Sequence, residues 1–309
     1  MNNIERKDKK KLIFYICGVA LPVLQFLIFY VAVNFSSIVL AFQNYTVTGG
    51  YVFSFSNFPE VWKNIFSKES GLNLGPTFLN SFKYYFVSLI FCTGLGLLFS
   101  NYIYKKALGS RFFQIILFLP KILSVVVMAV VYIYAMNDGY TYIAEKVFNK
   151  QRAIGLFTDP DTKFNYIMGF TIWSSFGTGV LMYTSTMTGI SKEIVESAQL
   201  DGITPLKELI FITLPMIYPT LSTFLVINFA GIFTDQMNLY TFYSYGTGTV
   251  TKDWTVGYYI YKEAQMAAAY NDYQQYAYLS ALGLMLSAVA IPATLLFKRF
   301  LEKVGPSVE

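Results

Sequence analysis

The chain has 309 residues, 55% of them hydrophobic and only 13% charged, with no histidine and a net charge of +5. A soluble protein carries about 25% charged residues, so this composition excludes an ordinary globular domain and points to lipid as the main solvent. The two cysteines, Cys17 and Cys92, lie inside apolar runs, which argues against a disulfide framework. With histidine absent, a zinc or haem site is left almost without ligands.

Arg6, Lys7, Lys9, Lys10 and Lys11 precede the first apolar run. That run is too long for a signal peptide and no small-residue cleavage site closes it, so it reads as a retained span behind a cytoplasmic segment 1–11. A bilayer core about 30 Å thick takes about 20 apolar residues in a helix. Six runs meet that length, near Leu12–Val33, Phe78–Phe99, Phe112–Tyr134, Tyr166–Thr188, Ile212–Thr234 and Tyr276–Phe297. They are continuously apolar and lack the alternation of a membrane barrel. The sequence therefore predicts an all-α membrane protein, with residues 12–297 as one six-helix domain and 298–309 as a cytoplasmic tail.

Lysine and arginine set the orientation. The loops on the side of the termini, which include Lys105, Lys106, Arg111, Lys192 and Lys207, hold thirteen. The opposite loops hold eight: Lys63, Lys68, Lys146, Lys150, Arg152, Lys163, Lys252 and Lys262. Both termini are expected in the cytoplasm. The bilayer is an expected partner and nucleic acid is not.

The loop between the fourth and fifth runs, residues 189–213, is longer than a connection requires and reads as helical. Ser191 is placed as an N-cap, with Glu193 in the first turn where a carboxylate suits the helix dipole. Ile190, Ile194, Val195 and Ala198 form a short apolar stripe at helical spacing. Gly202 ends this helix, and Thr204-Pro205 opens a second one leading to Leu214-Pro215. From pattern alone, an interfacial helix lying on lipid headgroups fits better than a docking element for a cytoplasmic partner.

The residues themselves favour docking. Glu196, Ala198, Asp201 and Gly202, followed by Ile212, Leu214 and Pro215, resemble at the same spacing the loop motif of permease subunits in binding-protein-dependent ABC importers. Ser197 departs from the family's alanine, small for small. Leu21-Pro22, Ser36 to Phe42 before Asn44-Tyr45, and Phe118-Leu119-Pro120 are similar to the MalF/UgpA-like sugar branch. Thr241 to Gly248 departs from the usual turn, and Thr255 to Ala264 and Tyr276 to Leu282 rejoin the pattern.

This resemblance implies a type I ABC importer permease fold whose coupling helix sits in a cleft of the ATPase. It implies a MalG-like second permease, a cytoplasmic ATPase dimer, and an extracytoplasmic binding protein that delivers a sugar substrate. The chain carries no Gly-x-x-x-x-Gly-Lys-Ser/Thr phosphate loop, so ATP and Mg belong to the ATPase, and no cofactor or catalytic role is expected here. Glu196, Ser197, Ala198, Asp201, Gly202, Leu214 and Pro215 form the expected ATPase-coupling set. Asp201, a carboxylate near a helix C-terminus, is expected to need a partner. Asn228, Asp235, Trp173 and Thr223 are the expected sugar contacts, with Ser174, Ser175, Thr178 and Phe229 near them; polar groups in a span face protein or water, and packing between helices accounts equally for the small ones. Lys121 reads as an interfacial or partner-paired lysine rather than a ligand. A permease for another solute, such as glycerol phosphate, is the alternative; a secondary transporter lacks its coupling charges, and a membrane enzyme lacks a general base.

Overall fold

The computed structural model describes residues 2–46, 50–66, 74–150, 154–159, 161–244 and 253–306. Lys68, Arg152, Lys252 and residues 245–252 of the divergent loop, all used above, lie outside the described residues, as do Met1 and residues 307–309 of the terminal segments.

A helix beginning at Asn2 contains the apolar stretch α1 (Phe14–Ala41). Next come an antiparallel hairpin, β1 (Gln43–Tyr45) and β2 (Tyr51–Phe53), and α2 (Asn57–Phe66). The hairpin corrects the purely helical expectation. The chain continues through α3 (Gly75–Tyr104), α4 (Ser110–Ile122), α5 (Val125–Lys146) and α6 (Lys163–Thr188). It ends with α7 (Lys192–Leu200), α8 (Pro205–Ala230), α9 (Leu239–Ser244), α10 (Val256–Tyr270) and α11 (Tyr273–Val304).

Among the described residues α1, α3, α8 and α11 are long and apolar enough to cross a bilayer, and α4 with α5 would make a fifth span. The third expected run is not one straight helix. α4 and α5 are bent by 103°, because Leu123 and Ser124 are extended between them. Pro120, just upstream, has no N–H for the Ile116 carbonyl and weakens the last turn of α4. The 26-residue α6 would reach about 39 Å, but its serines, threonines and glycines make it less apolar than the others. The fifth expected run starts earlier than Ile212 and stops at Ala230, so the loop's second helix and the span are continuous. Its π-helical turn, Leu209–Thr213, ends just before Leu214-Pro215. A widened turn at that point suits a proline that cannot donate in α-register. α11 passes residue 297 without a break.

The chain divides into two compact units, Met1–Leu72 with Lys262–Ala288 and Asn73–Tyr261 with Val289–Glu309. In the first, buried Asn57 donates to the Ala41 and Gln43 carbonyls at 3.0 and 2.9 Å. Its own carbonyl oxygen accepts from Gln274, whose Oε1 accepts from the Tyr45 N–H at 2.8 Å. One amide thus satisfies the backbone where α1 ends and the hairpin begins, groups that would otherwise cost the desolvation of buried polar atoms.

In the second unit α3, α4 and α6 pack together. Ile103, Phe176 and Val180 form a buried cluster with Phe99 and Leu117 against it, and buried Ser100 donates to the Val180 carbonyl at 2.9 Å. A Cβ at Gly177 would overlap the Leu117 carbonyl oxygen, so α6 crosses α4 at a distance that only glycine permits.

Candidate functional site

The loop helix α7 is held from behind. Val195 and Ile190 are buried in one cluster with Tyr183 and Met187 of α6 and Leu209 and Ile217 of α8, with Leu214 packed against it. The apolar stripe is therefore only partly inward: Val195 is buried and Ile194 is exposed. Ser191 is the N-cap, but its side chain makes no capping hydrogen bond. Glu193 lies in the first turn.

The other end is closed by a Schellman arrangement. The Gly202 N–H donates to the Gln199 carbonyl at 3.0 Å and the Ile203 N–H to the Ala198 carbonyl at 3.2 Å. Gly202 has φ +78°, and a Cβ there would meet nothing within 4 Å. Within this chain its glycine identity answers to backbone conformation, not to crowding. Thr204 is extended and Pro205 is the first helical residue of α8.

Glu196, Ser197, Asp201 and Gly202 lie on the exposed side, with Ala198 half-buried. Leu200 is 89% exposed, and Leu206 is exposed beside it. Among the described residues Asp201 has no ion pair or side-chain hydrogen bond, so none of them supplies the partner expected for it. Glu196 lines a groove of about 400 Å³ with Tyr104, Lys106, Lys192 and Gln199.

The sequence reading missed what fixes the base of this element. Glu208, buried in the first turn of α8, forms an ion pair and hydrogen bond with Lys105, at the end of α3. The acidic residue in a first turn was visible; its partner 103 residues away was not.

A second feature lies between α3 and α8. A cleft of about 310 Å³ is lined by Tyr84, Tyr85, Ser88, Asn228, Thr234 and Asp235, with Leu89, Ile227, Gly231 and Ile232. Two of the four expected sugar contacts, Asn228 and Asp235, meet there. The Asp235 carboxylate accepts from the Met237 N–H at 2.7 Å. Loss of surrounding water raises its carboxyl above the ordinary carboxylate range, against the pull of the Met237 N–H and the Tyr84 hydroxyl. Its backbone is fixed from behind. Thr255, fully buried, donates to the Asp235 carbonyl at 2.9 Å, and a Cβ at Gly257 would come within 2.5 Å of the Thr234 carbonyl oxygen.

The other two are elsewhere. The Thr223 hydroxyl donates to the Pro219 carbonyl at 2.8 Å, within its own helix. Trp173 is exposed on α6, its ring edge-on to Phe170 at 5.9 Å. Ser174 donates to the Thr171 carbonyl. Phe229 sits between Tyr85 and Phe297. Tyr84, Tyr85 and Ser88 were not anticipated, because aromatic and hydroxyl residues in an apolar run read equally as packing.

Residues 93–308 match the family described as binding-protein-dependent transport system inner membrane component. The chain belongs to this family. A probable ABC transporter permease protein of Mycoplasma pneumoniae, the MG188 homolog, is 32% identical over 178 residues, 56% of this chain and 52% of that protein. The chain thus spans about half the length of the Mycoplasma relatives it matches. The arabinooligosaccharides transport system permease protein AraP of Bacillus subtilis is 26% identical over 287 residues, 89% of this chain and 84% of that one. In three dimensions, a chain of a bacterial ABC transporter involved in the import of the acidic polysaccharide alginate superposes with a TM-score of 0.75. At 19% identity the likeness covers 98% of this chain and 99% of the other. The fold is that of a type I ABC importer permease.

Proposed function

We propose that this chain is a transmembrane permease subunit of an ATP-driven importer, taking in a sugar or oligosaccharide delivered by an extracytoplasmic binding protein. The observation that carries this reading is α7: a short helix packed against the membrane domain through Val195, capped at Gly202, and presenting Glu196, Ser197 and Asp201 outward. In a permease of this family, that exposed face is what an ATPase cleft would take. The chain itself is not catalytic; ATP and Mg are bound by the partner ATPase dimer.

In this reading α6 is the sixth span beside α1, α3, the broken pair α4–α5, α8 and α11. Residues 1–11 and the end of α11 face the cytoplasm of a bacterial inner membrane. A MalG-like second permease completes the pathway. Glu196 and Asp201 contact the ATPase, and Leu214 and Pro215 join the docking element to α8. Asn228 and Asp235 are the substrate-facing residues best supported by position.

The cleft chemistry favours an uncharged, hydroxyl-rich solute. Among the described residues its only charged lining group is Asp235, and Tyr84, Tyr85, Ser88 and Asn228 supply rings and hydrogen-bonding groups. A phosphate ester or a uronate would meet that carboxylate with no cation beside it among the lining residues, so glycerol phosphate is the weaker alternative. Purifying the tagged chain in mild detergent tests the proposal. Co-purification of a second permease and an ATPase, with ATP hydrolysis stimulated by a sugar-loaded binding protein, is the expected result. A chain that purifies alone with no associated ATPase would refute it.

A further inference from the structure

The segment that follows α1 carries an aromatic ridge with no role in docking or in the cleft. Phe42, the residue next after α1, stacks on Phe53 at 5.6 Å between ring centroids and contacts Phe55 and Phe58 at 5.2 Å each. Phe58, Trp62 and Phe66 then repeat at four-residue spacing along α2, with Trp62 and Phe66 at 4.7 Å. The adjoining face of α2 is turned inward through Asn57 and Val61, both fully buried. The ridge is not: Phe53, Phe55, Trp62 and Phe66 are 69%, 62%, 60% and 67% exposed.

Its position says what covers it. The ridge starts at the residue that leaves a membrane-length helix, and Asn57 ties α2 back to the last carbonyl of that helix. Only Glu60 and Lys63 are charged between residues 42 and 66. A helix with one aromatic face, at a span terminus and nearly free of charge, has the pattern of an interfacial segment. It lies at the end of α1 opposite the basic cluster Arg6–Lys11, so its leaflet is the outer one.

We infer that Phe53, Phe55, Trp62 and Phe66 form an interfacial foot that rests in the outer-leaflet headgroup region, so that α2 and the hairpin are held down on the lipid surface. The occupant of this face is lipid, engaged through ring burial at the headgroup and acyl boundary.

The test uses the assembled transporter in nanodiscs of phosphatidylcholine brominated high on the acyl chains. Subtracting the emission of the Trp62→Phe variant, which keeps a ring in place, isolates the Trp62 signal. The expected result is roughly twofold quenching of that signal by lipid bromine, little by aqueous iodide, and no change on adding binding protein. Quenching by iodide and not by lipid bromine would overturn the inference and leave the ridge in water. Shielding from both reagents would overturn it by placing another subunit there, and protection that appears only with binding protein would assign the face to that protein.

Discussion

Lys105 and Glu208 pair where α3 ends and α8 begins, the glutamate side chain 3% exposed and the lysine 27%. Their surroundings are unequal, and so are the consequences of losing either one. Lys105→Met leaves a carboxylate buried without its cation and should destabilise the chain by about 2 kcal/mol, less than for a pair with both ends buried. Glu208→Gln leaves a lysine that can turn to water and should cost about half as much. Thermal unfolding of the purified complex checks the order. Equal losses would mean that the pair is a surface ion pair in solution.

Gly202→Ala places a side chain in left-handed backbone with open space around it. Strain alone should cost about 1 kcal/mol, and Gly202→Asn less, since asparagine tolerates that conformation. Unfolding midpoints of the two variants would show this ranking. A larger loss in substrate-stimulated ATP hydrolysis than in stability is expected for Gly202→Trp, where bulk would meet the ATPase.

Glycines of α6 should differ sharply over two residues. Gly177→Ala drives a methyl into the Leu117 carbonyl and should cost about 2–3 kcal/mol. Gly179→Ala meets only the Tyr183 ring, at 3.4 Å, and should be nearly neutral. Yields and unfolding midpoints measured side by side would separate them.

Asp235→Asn keeps the shape of the cleft and removes its charge. If the proposed substrate contact holds, sugar uptake should lose a charged hydrogen bond, about 1.5–3 kcal/mol or roughly tenfold or more in transport KM, with binding-protein affinity unchanged. Thr223→Val, whose hydroxyl is already satisfied inside α8, should leave uptake within about twofold. A strong Thr223 effect with a silent Asp235 would move the pathway to another face of α8.

Much of this protein was determined locally and was legible without coordinates. Long apolar runs fix a membrane solvent because each unpaired backbone group in lipid costs so much that only complete helices survive. The short helix α7 was legible because its signals act over a few residues. Gly202 ends it, Thr204-Pro205 restarts the chain, and the motif spacing is set by helix geometry. What the local pattern could not supply was facing. A span apolar all round has no polar stripe to show which side meets protein, so nothing in the residues separated Asn228, which lines the cleft, from Trp173 and Thr223, which do not. The break after Pro120 was likewise undecided locally, since a proline near a helix end permits either a bend or a continuous helix. Lys105 counted only as one more cytoplasmic charge in the sequence. Tertiary packing brought Glu208 to it: the carboxylate is buried and paired with Lys105, while the adjacent Lys207 stays exposed.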